Sequence, residues 1–593
     1  MATLDPARPF VLLDDARVTG AADARLYRDP VEIIRVSHLD EVQPALARLR
    51  AASAKGYHCA GFLTYEAGLA LEDRLKRYYS PAPDGLPLLW FGLFRSVERI
   101  ASSDVPALLP SPAGAWIGRP RPSIRYDAYA KALDQVQAFI AAGDIYQANL
   151  TFQATVPVEG DPLAIYARLR AASRMGWGGV IHTGDRWVLS ASPELFFTLD
   201  DGRLTARPMK GTARRGGTQA EDEAARQWLM ANIKDRAENL MIVDLLRNDL
   251  SRVAAPGSVE TPRLFEVETY PTLPQMTSTV EARLGAGLDV IDVIEAIYPC
   301  GSITGAPKIR AMEVIAGVEE SPRGLYTGAI GFIGPDGNAG FNVAIRTLVM
   351  AADGKSARLG LGSGIVADSE TRAEWRECLA KAAFLIRERH PIDLIETMRF
   401  DPDDGIQHFD RHIARLEASA RTLGFTFDRH TARNELQSAC FTLREPARVR
   451  LLTGQSGVFA VETAPLPPPP ETLPVSACIM KLPVAPADFR LRHKTSDRGF
   501  YDEARKQGGC FETLFVDPDG FLTEGSFTSI FVERGGRLLT PPLSRGLLPG
   551  ILRESLIAEE RAIEADLTPA DLAEGFFIGN AVRGLIPARL VAG

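Results

Sequence analysis

Cysteine is scarce: six in 593 residues, at positions 59, 300, 378, 440, 478 and 510, and no two have zinc-finger or C-x-x-C spacing. That excludes a disulfide framework and fits the reduced thiols of a cytoplasmic protein. Basic charge is not in excess, since 67 Lys and Arg face 75 Asp and Glu for a net charge of −8. Such a chain has no general attraction for nucleic acid or anionic lipid, so any anionic ligand must be held by a local pocket. No apolar run approaches the length of a membrane span. The first residues, MATLDPARPFVLLDDARV, lack a charged stretch followed by an apolar block, and no secretory signal is expected. The phosphate-loop pattern G-x-x-x-x-G-K-[ST] is absent. What remains is an ordinary globular balance, with 46% hydrophobic and 24% charged residues. The length suggests about four domains.

Three Pro- and Gly-marked stretches read as boundaries: 105–123, 390–391 and the proline run LPPPPETLP at 466–474. They suggest a division at 1–120, 121–390, 391–465 and 466–593. In the first half the apolar spacing predicts helices at 39–55, 126–142, 218–252, 290–298, 307–316 and 370–389. Strands are expected at 31–36, 88–94, 149–158, 187–190, 195–199, 326–333, 341–350 and 357–361. The second half predicts strands at 393–400, 447–453, 458–463, 475–482, 511–516 and 527–532, with helices at 408–423 and 551–564. Strands in runs with helices elsewhere argue for an α+β fold in both halves.

Four Gly-rich or polar segments interrupt these patterns: GDIYQANL (143–150), RPMKGTARRG (207–216), GSITGAPKIR (301–310) and GLGSGI (360–365). The last could be a tight turn or a set of backbone N–H groups left open for a carboxylate. Glu374, Glu377 and Lys381 share one face of the 370–389 helix, as an exposed salt-bridged face or as a site. Glu238 stands inside the largely apolar AENLMIVDLLRNDL, where a carboxylate needs a partner. Two Glu from different helices, with few His or Cys nearby, would suit Mg²⁺ better than zinc.

In order along 143–381 stand GDIYQANL, SPELF, RPMKGTARRG, AENLMIVDLLRNDL, PCGSITGAPKIRAME, YTGAIGF, NVAIRT, GSGIVADS and EWRECLAK. This series resembles the chorismate-utilising family, which includes anthranilate, aminodeoxychorismate, isochorismate and salicylate synthases. The resemblance implies chorismate as substrate and Mg²⁺ held by Glu238 and Glu377 on the ring carboxylate. It implies that the enolpyruvyl carboxylate is held by Arg346, Lys381 and the backbone of Gly362, Ser363 and Gly364, with Gln147 and Thr304 also lining the substrate. Isochorismate formers carry Lys where this chain has Gln147, an amide that cannot act as a base. Anthranilate synthases carry Ala where this chain has Lys210, and aminodeoxychorismate synthases carry Lys there as a nucleophile. That role requires a neutral amine, hence a lowered pKa, with Arg214 and Arg215 close in sequence. Glu194 matches the general acid/base. The family's His in the segment YPTLPQMTSTV is replaced here by Gln275, so a His-dependent proton transfer is not carried over.

Over 393–587 run DLIETMRF, HFDRHIARLEASARTLGF, RLRHKTSDR, GFLTEGSFTSIFV, LLTPPLSRGLLPGILRE and FFIGNAVRGLIP. These resemble fold-type IV pyridoxal-phosphate enzymes: branched-chain and D-amino-acid aminotransferases and 4-amino-4-deoxychorismate lyase. By position Lys494 is the lysine that bonds the cofactor and Glu524 pairs with its pyridine nitrogen. Arg415 would bind the phosphate, with backbone at Gly550, Ile551, Asn580 and Ala581. Such proteins usually begin with a further strand-and-turn segment, which here is missing or replaced by the first half.

Together the two resemblances imply p-aminobenzoate formation for folate, by amination of chorismate and then loss of pyruvate. No Cys has the G-x-C-x-G setting of a glutaminase. A separate glutamine amidotransferase subunit or free ammonia is therefore implied, and a homodimer through the second half is possible. Two other readings stay open. One is an anthranilate-type synthase fused to a working aminotransferase; the other is an active first half with an inactive second half as scaffold.

Overall fold

The computed structural model describes residues 4–212, 218–269, 274–386 and 391–591. The chain forms two compact units. The first comprises Met1–Leu109, Arg119–Val156 and Tyr166–Glu388; the second comprises Pro110–Gly118, Pro157–Ile165 and Arg389–Gly593.

The first unit is built on two large antiparallel sheets. One carries, in spatial order, Gly305–Ala306, Gln147–Glu159, Ser356–Ile365, Thr347–Met350, Trp187–Ser192, Trp177–His182, Phe10–Asp14, Ala24–Arg28 and Glu98–Ile100. The other runs Met209–Thr212, Pro274–Arg283, Arg203–Arg207, Leu195–Asp200, Ala339–Val343, Ala329–Ile333, His58–Leu63, Leu89–Phe94 and Glu32–Val36. Leu89–Phe94, LWFGLF, is buried at every position. A strand covered on both faces reads as a continuous apolar run rather than an alternation. Helix Val42–Ala54 buries Val42, Ala45, Leu46, Leu49 and Ala52, a 3–4 spacing that makes one apolar stripe. The same core takes Ile242, Val243, Leu246 and Leu250 from the helix that carries Glu238.

Several expected elements are divided. The helix expected at 218–252 is two, Gln219–Ala231 and Ile233–Ser251. Asn232 ends the first with extended backbone, and its side chain accepts N–H groups of Lys234 and Asp235 as N-cap of the second. The strand expected at 341–350 is also two, placed in different sheets, because Arg346 between them has a φ of 50°. The helix expected at 370–389 covers Thr371–Ala380 and is capped at Lys381; a short 3₁₀ turn follows at Ala383–Leu385. Its predicted end, 387–389, lies outside the described residues, as do Arg214 and Arg215. The helix expected at 551–564 stops at Ala558, and Ala562–Glu564 joins a sheet after Glu560 turns at a φ of 57°.

The second unit holds a four-stranded sheet (Gly405–Ile406, Leu394–Asp401, Ala447–Thr453, Phe459–Pro465) packed by helices Phe409–Leu423 and Arg429–Cys440. It also holds an eight-stranded mixed sheet from Leu522–Gly525 through Val475–Lys481 to Ala562–Glu564. The proline run joins these two sheets inside the unit. Trp116, from a stretch expected to be a connector, is buried here against Phe425 and Phe489, and its indole N–H donates to Leu423 O at 3.0 Å.

Candidate active sites

In the first unit, five segments bring polar side chains to one place. Glu194 follows strand Trp187–Ser192 and is 5% exposed. Its Oε1 accepts the Ser302 hydroxyl at 2.7 Å. Burial pushes its carboxyl up to about 7, opposed by Ser302, Lys210 and Lys381. At that position it is a carboxyl that can hold or release a proton near neutrality.

Lys210 stands on strand Met209–Thr212. Burial lowers the pKa of its amine and Lys381 lowers it further, while Glu238, Glu194 and Glu377 pull the other way. Glu238 comes from helix Ile233–Ser251, and Glu377 and Lys381 from helix Thr371–Ala380 and its cap. Burial raises the Glu238 carboxyl, with Lys210 and Lys234 opposing. For Glu377 burial also works upward, but Lys381 at 2.9 Å outweighs it and holds the carboxyl below its usual range. Lys381 Nζ also donates to Gly362 O at 2.8 Å. Among the described residues no group of three or more His, Cys, Asp and Glu side chains is gathered as a metal site.

Strand Ser356–Ile365 carries the Gly-rich run. Side chains alternate along it, so Ser363 faces away from its neighbours. The Ser363 hydroxyl is buried against Tyr129 Oη at 3.3 Å and Cys378 Sγ at 3.6 Å. A methyl built on Gly364 would sit 2.6 Å from Gln147 Nε2 and 3.1 Å from both Asn149 Oδ1 and Lys210 Nζ. Only glycine leaves that space open. The Thr304 hydroxyl donates within its own loop, to Cys300 O and Gly301 O, and Thr304 O accepts Asn149 N at 2.8 Å. The Arg346 guanidinium lies by Met175 Sδ and over the ring of Phe384.

Asn149, Ser302 and Arg323 were not singled out from sequence. Two of them carried a signal: Gln147 and Asn149 share a strand face by period two, and Ser302 lies inside GSITGAPKIR. Arg323 carried none. It is buried in an ion pair with Glu319 at 2.7 Å and donates to Asn149 O and Ile303 O.

The second unit encloses a cavity of about 530 Å³ that reaches Lys494, Arg415, Glu524 and Gly550. Lys494 follows the short helix Phe489–Arg492. Its amine donates to Thr397 Oγ1 at 3.1 Å, and burial, then Arg415, lowers its pKa to about 7. Arg415 is clamped by both Glu396 oxygens, at 2.8 and 2.7 Å, and by Pro549 O at 2.8 Å. A guanidinium has five N–H groups, so two remain for an anion in the cavity. Buried Glu524 accepts the Tyr501 hydroxyl and Leu548 N, and burial pushes its carboxyl up to about 7. Gly550 caps helix Ile551–Ala558, whose first N–H groups are unspent in the helix. A methyl on Gly550 would meet Ser529 Oγ at 2.6 Å, so the approach is tight and adds a hydroxyl unforeseen from sequence. The Asn580 side chain is used in its own turn, accepting Val582 N and Arg583 N, so Asn580 and Ala581 offer backbone to the cavity.

A family model for chorismate binding enzymes matches residues 9–387. The chain belongs to the chorismate-binding enzyme family. A second family model, for class IV aminotransferases, matches residues 393–591. Among curated relatives of the chorismate-binding part, "Aminodeoxychorismate synthase component 1" of Salmonella typhimurium is 42% identical over 265 residues, 45% of this chain and 57% of that protein. The Escherichia coli protein of the same name is 39% identical over 262 residues, 44% of this chain and 57% of that one. This chain thus spans less than three fifths of either. A solved structure of anthranilate synthase component I from Streptococcus pneumoniae superposes with a TM-score of 0.53 at 25% identity, covering 62% of this chain and 93% of that one. The α+β expectation for both halves holds in the two units. No described helix is long and apolar enough to cross a membrane.

The class IV match implies pyridoxal phosphate, and the second cavity suits it. A buried lysine near neutrality, a buried carboxyl that a ring N–H would ionise, two spare guanidinium donors and a helix N-terminus are the groups such a cofactor needs.

Proposed function

We propose that the chain makes p-aminobenzoate from chorismate and ammonia in two steps, one in each unit. The observation that supports the first step best is the half-buried Lys210 amine, with a lowered pKa, beside Glu194 and the open face of Gly364. The amine forms a bond to C2 of the ring as the two ring double bonds shift and the C4–O bond breaks. Glu194 gives its proton to the departing oxygen, which leaves as water. Ammonia then bonds to C4, both double bonds shift back, the C2–N bond breaks with its pair returning to Lys210, and the proton shed by the new amine returns to Glu194. The sum is chorismate plus ammonia to 4-amino-4-deoxychorismate plus water. Glu238 and Glu377 are oxygen donors on separate helices and would hold Mg²⁺, which supplies positive charge for the ring carboxylate.

The second step releases pyruvate and leaves the aromatic ring. Pyridoxal phosphate, when bound, supplies an electron sink. Lys494, neutral above about pH 7, would move the C4 proton. Arg448, Arg450 and Arg498 line the same cavity, and Arg450 Nε and Arg498 Nη1 have no hydrogen-bond acceptor among the described residues. Such a lining suits a dicarboxylate. Nitrogen would arrive from a separate amidotransferase subunit or as free ammonium, and a cytoplasmic setting fits the unpaired thiols.

The test is incubation of the chain with chorismate, Mg²⁺, ammonium and pyridoxal phosphate. p-Aminobenzoate and pyruvate in equal amounts are expected. Accumulating 4-amino-4-deoxychorismate would refute the second step, and o-aminobenzoate would refute the first.

A further inference from the structure

Among the described residues, two side-chain atoms beside Lys210 are buried without a hydrogen-bond partner: Gln147 Nε2 and Asn149 Oδ1. Gln147 is 2% exposed and Asn149 is 8% exposed. Both lie with Lys210 Nζ around the single point that a methyl on Gly364 would fill, at 2.6, 3.1 and 3.1 Å. No two of the three are therefore further apart than twice the larger distance. Buried polar atoms in native structures are nearly always satisfied, so an orphaned donor and an orphaned acceptor at one spot mark a place made for a small polar molecule.

Asn149 is held there firmly. Its N–H donates to Thr304 O at 2.8 Å, and its carbonyl accepts Arg323 Nη2 at 2.8 Å. Arg323 is locked in turn by Glu319, whose Oε1 also accepts Thr151 N at 2.8 Å. The strand bearing Asn149 is thus held along this edge, and Ser356–Ile365 is its neighbour in the sheet on the other, which is what a positioned acceptor requires.

We infer that Asn149 Oδ1 is the docking acceptor for the ammonia that attacks the ring, an assignment that rests on the amination reading above. Three features select ammonia. The two amides at this point cannot remove a proton, which suits ammonia, whose lone pair attacks without prior deprotonation, better than water. Ammonia has three N–H donors and one lone pair. Bonding to Asn149 Oδ1 uses a donor and leaves the lone pair for C4. Gln147 Nε2, itself a donor, would spend that lone pair and so is left for a substrate oxygen. Finally, the spot adjoins Lys210, the group ammonia must displace. Bond changes are those already given: a C4–N bond forms, the C2–N bond to Lys210 breaks with its pair returning to the amine, and one ammonia proton passes to the Glu194 carboxylate, which restores its acid form.

The experiment is steady-state formation of 4-amino-4-deoxychorismate by the full chain, with ammonium chloride varied at saturating chorismate and Mg²⁺, and then the reverse. Asn149→Ala is expected to raise the KM for ammonium about tenfold, the worth of one lost hydrogen bond, with the KM for chorismate nearly unchanged. Asn149→Leu is close in volume, deletes the acceptor without a cavity and should read the same way. Asn149→Asp keeps an acceptor oxygen and should return the ammonium KM toward the wild-type value. An unchanged ammonium KM in Asn149→Ala or Asn149→Leu, with wild-type amination normal, overturns this assignment alone. Both KM values rising together also overturn it, since that would make Asn149 a part of the ring site. Absence of amination by the wild-type chain overturns the amination reading and this assignment with it.

Discussion

Ser302→Ala isolates the proton held by Glu194. The Ser302 hydroxyl donates to Glu194 Oε1 at 2.7 Å, and Lys210 and Lys381 are the cations that also act on this carboxyl. Cys300 Sγ touches the same hydroxyl at 3.2 Å and is itself held as a thiol by burial. A hydrogen bond to a charged acceptor contributes roughly 1.5–3 kcal/mol, and one pKa unit corresponds to about 1.4 kcal/mol. The donor favours the ionised form, so its removal raises a carboxyl that already stands at about 7. The acid form then persists to higher pH. The alkaline limb of kcat/KM for chorismate should move up by about one unit, and Ser302→Thr, which keeps the hydroxyl, should restore it. The assay is amination rate from pH 6 to 10 at saturating ammonium. A lowered rate with the limb in its wild-type position would refute the reasoning, for it would mean that Ser302 serves only the loop or that Glu194 is not the proton donor.

Gly364→Ala should abolish amination while pyruvate release from supplied 4-amino-4-deoxychorismate continues, because the methyl would lie 2.6 Å from Gln147 Nε2 and fill the space by Lys210; separate assays of the two steps check this. Lys494→Ala should let 4-amino-4-deoxychorismate accumulate from chorismate with little p-aminobenzoate, followed by chromatography of the products. Trp116→Ala removes a side chain 3% exposed and orphans Leu423 O, so it should cost the second unit about 3–5 kcal/mol. Pyruvate release should then fail at lower urea than amination does, and coincident losses would count against it.

Most of the strands and helices were legible because their apolar residues repeat with period two or near four. Strand Ala447–Thr453 and helix Tyr126–Ala141 fall within one residue of expectation. The divided elements failed for local reasons. Asn232 and Arg346 are polar residues inside apolar patterns, and hydropathy cannot register a cap or a φ of 50°. Trp116 was misread because Pro and Gly around it resemble a linker, while the partner that buries it lies some 300 residues away in sequence. Lys210, Glu194, Glu238 and Glu377 were found through the order of nine motifs, and spacing alone would not have joined them. Asn149 was legible only as the strand-face neighbour of Gln147, and Arg323 escaped because an arginine in a connecting segment announces nothing until its buried partners are known.

Lys210 and Lys494 show how one physical device serves two chemistries. Each is an amine on a turn or short strand, and for each burial is the main influence lowering the pKa, since an ammonium loses hydration there. Their second neighbours differ. Around Lys494 the cations Arg415, Arg498 and Arg450 all push the same way, and only Glu396 opposes them. That environment favours a neutral amine and attracts anions, as a phosphate-bearing cofactor and a dicarboxylate require. Around Lys210, among the described residues, Lys381 is set against the carboxylates Glu238, Glu194 and Glu377. That environment attracts cations and keeps a carboxyl at hand for a departing hydroxyl. RLRHKTSDR looks like a solvated basic loop in sequence, yet Lys494 O accepts Ile395 N at 2.8 Å and Thr495 bridges Leu394, which turns the lysine inward. The chemistry at each amine is therefore set less by the lysine than by which charges the fold places around it.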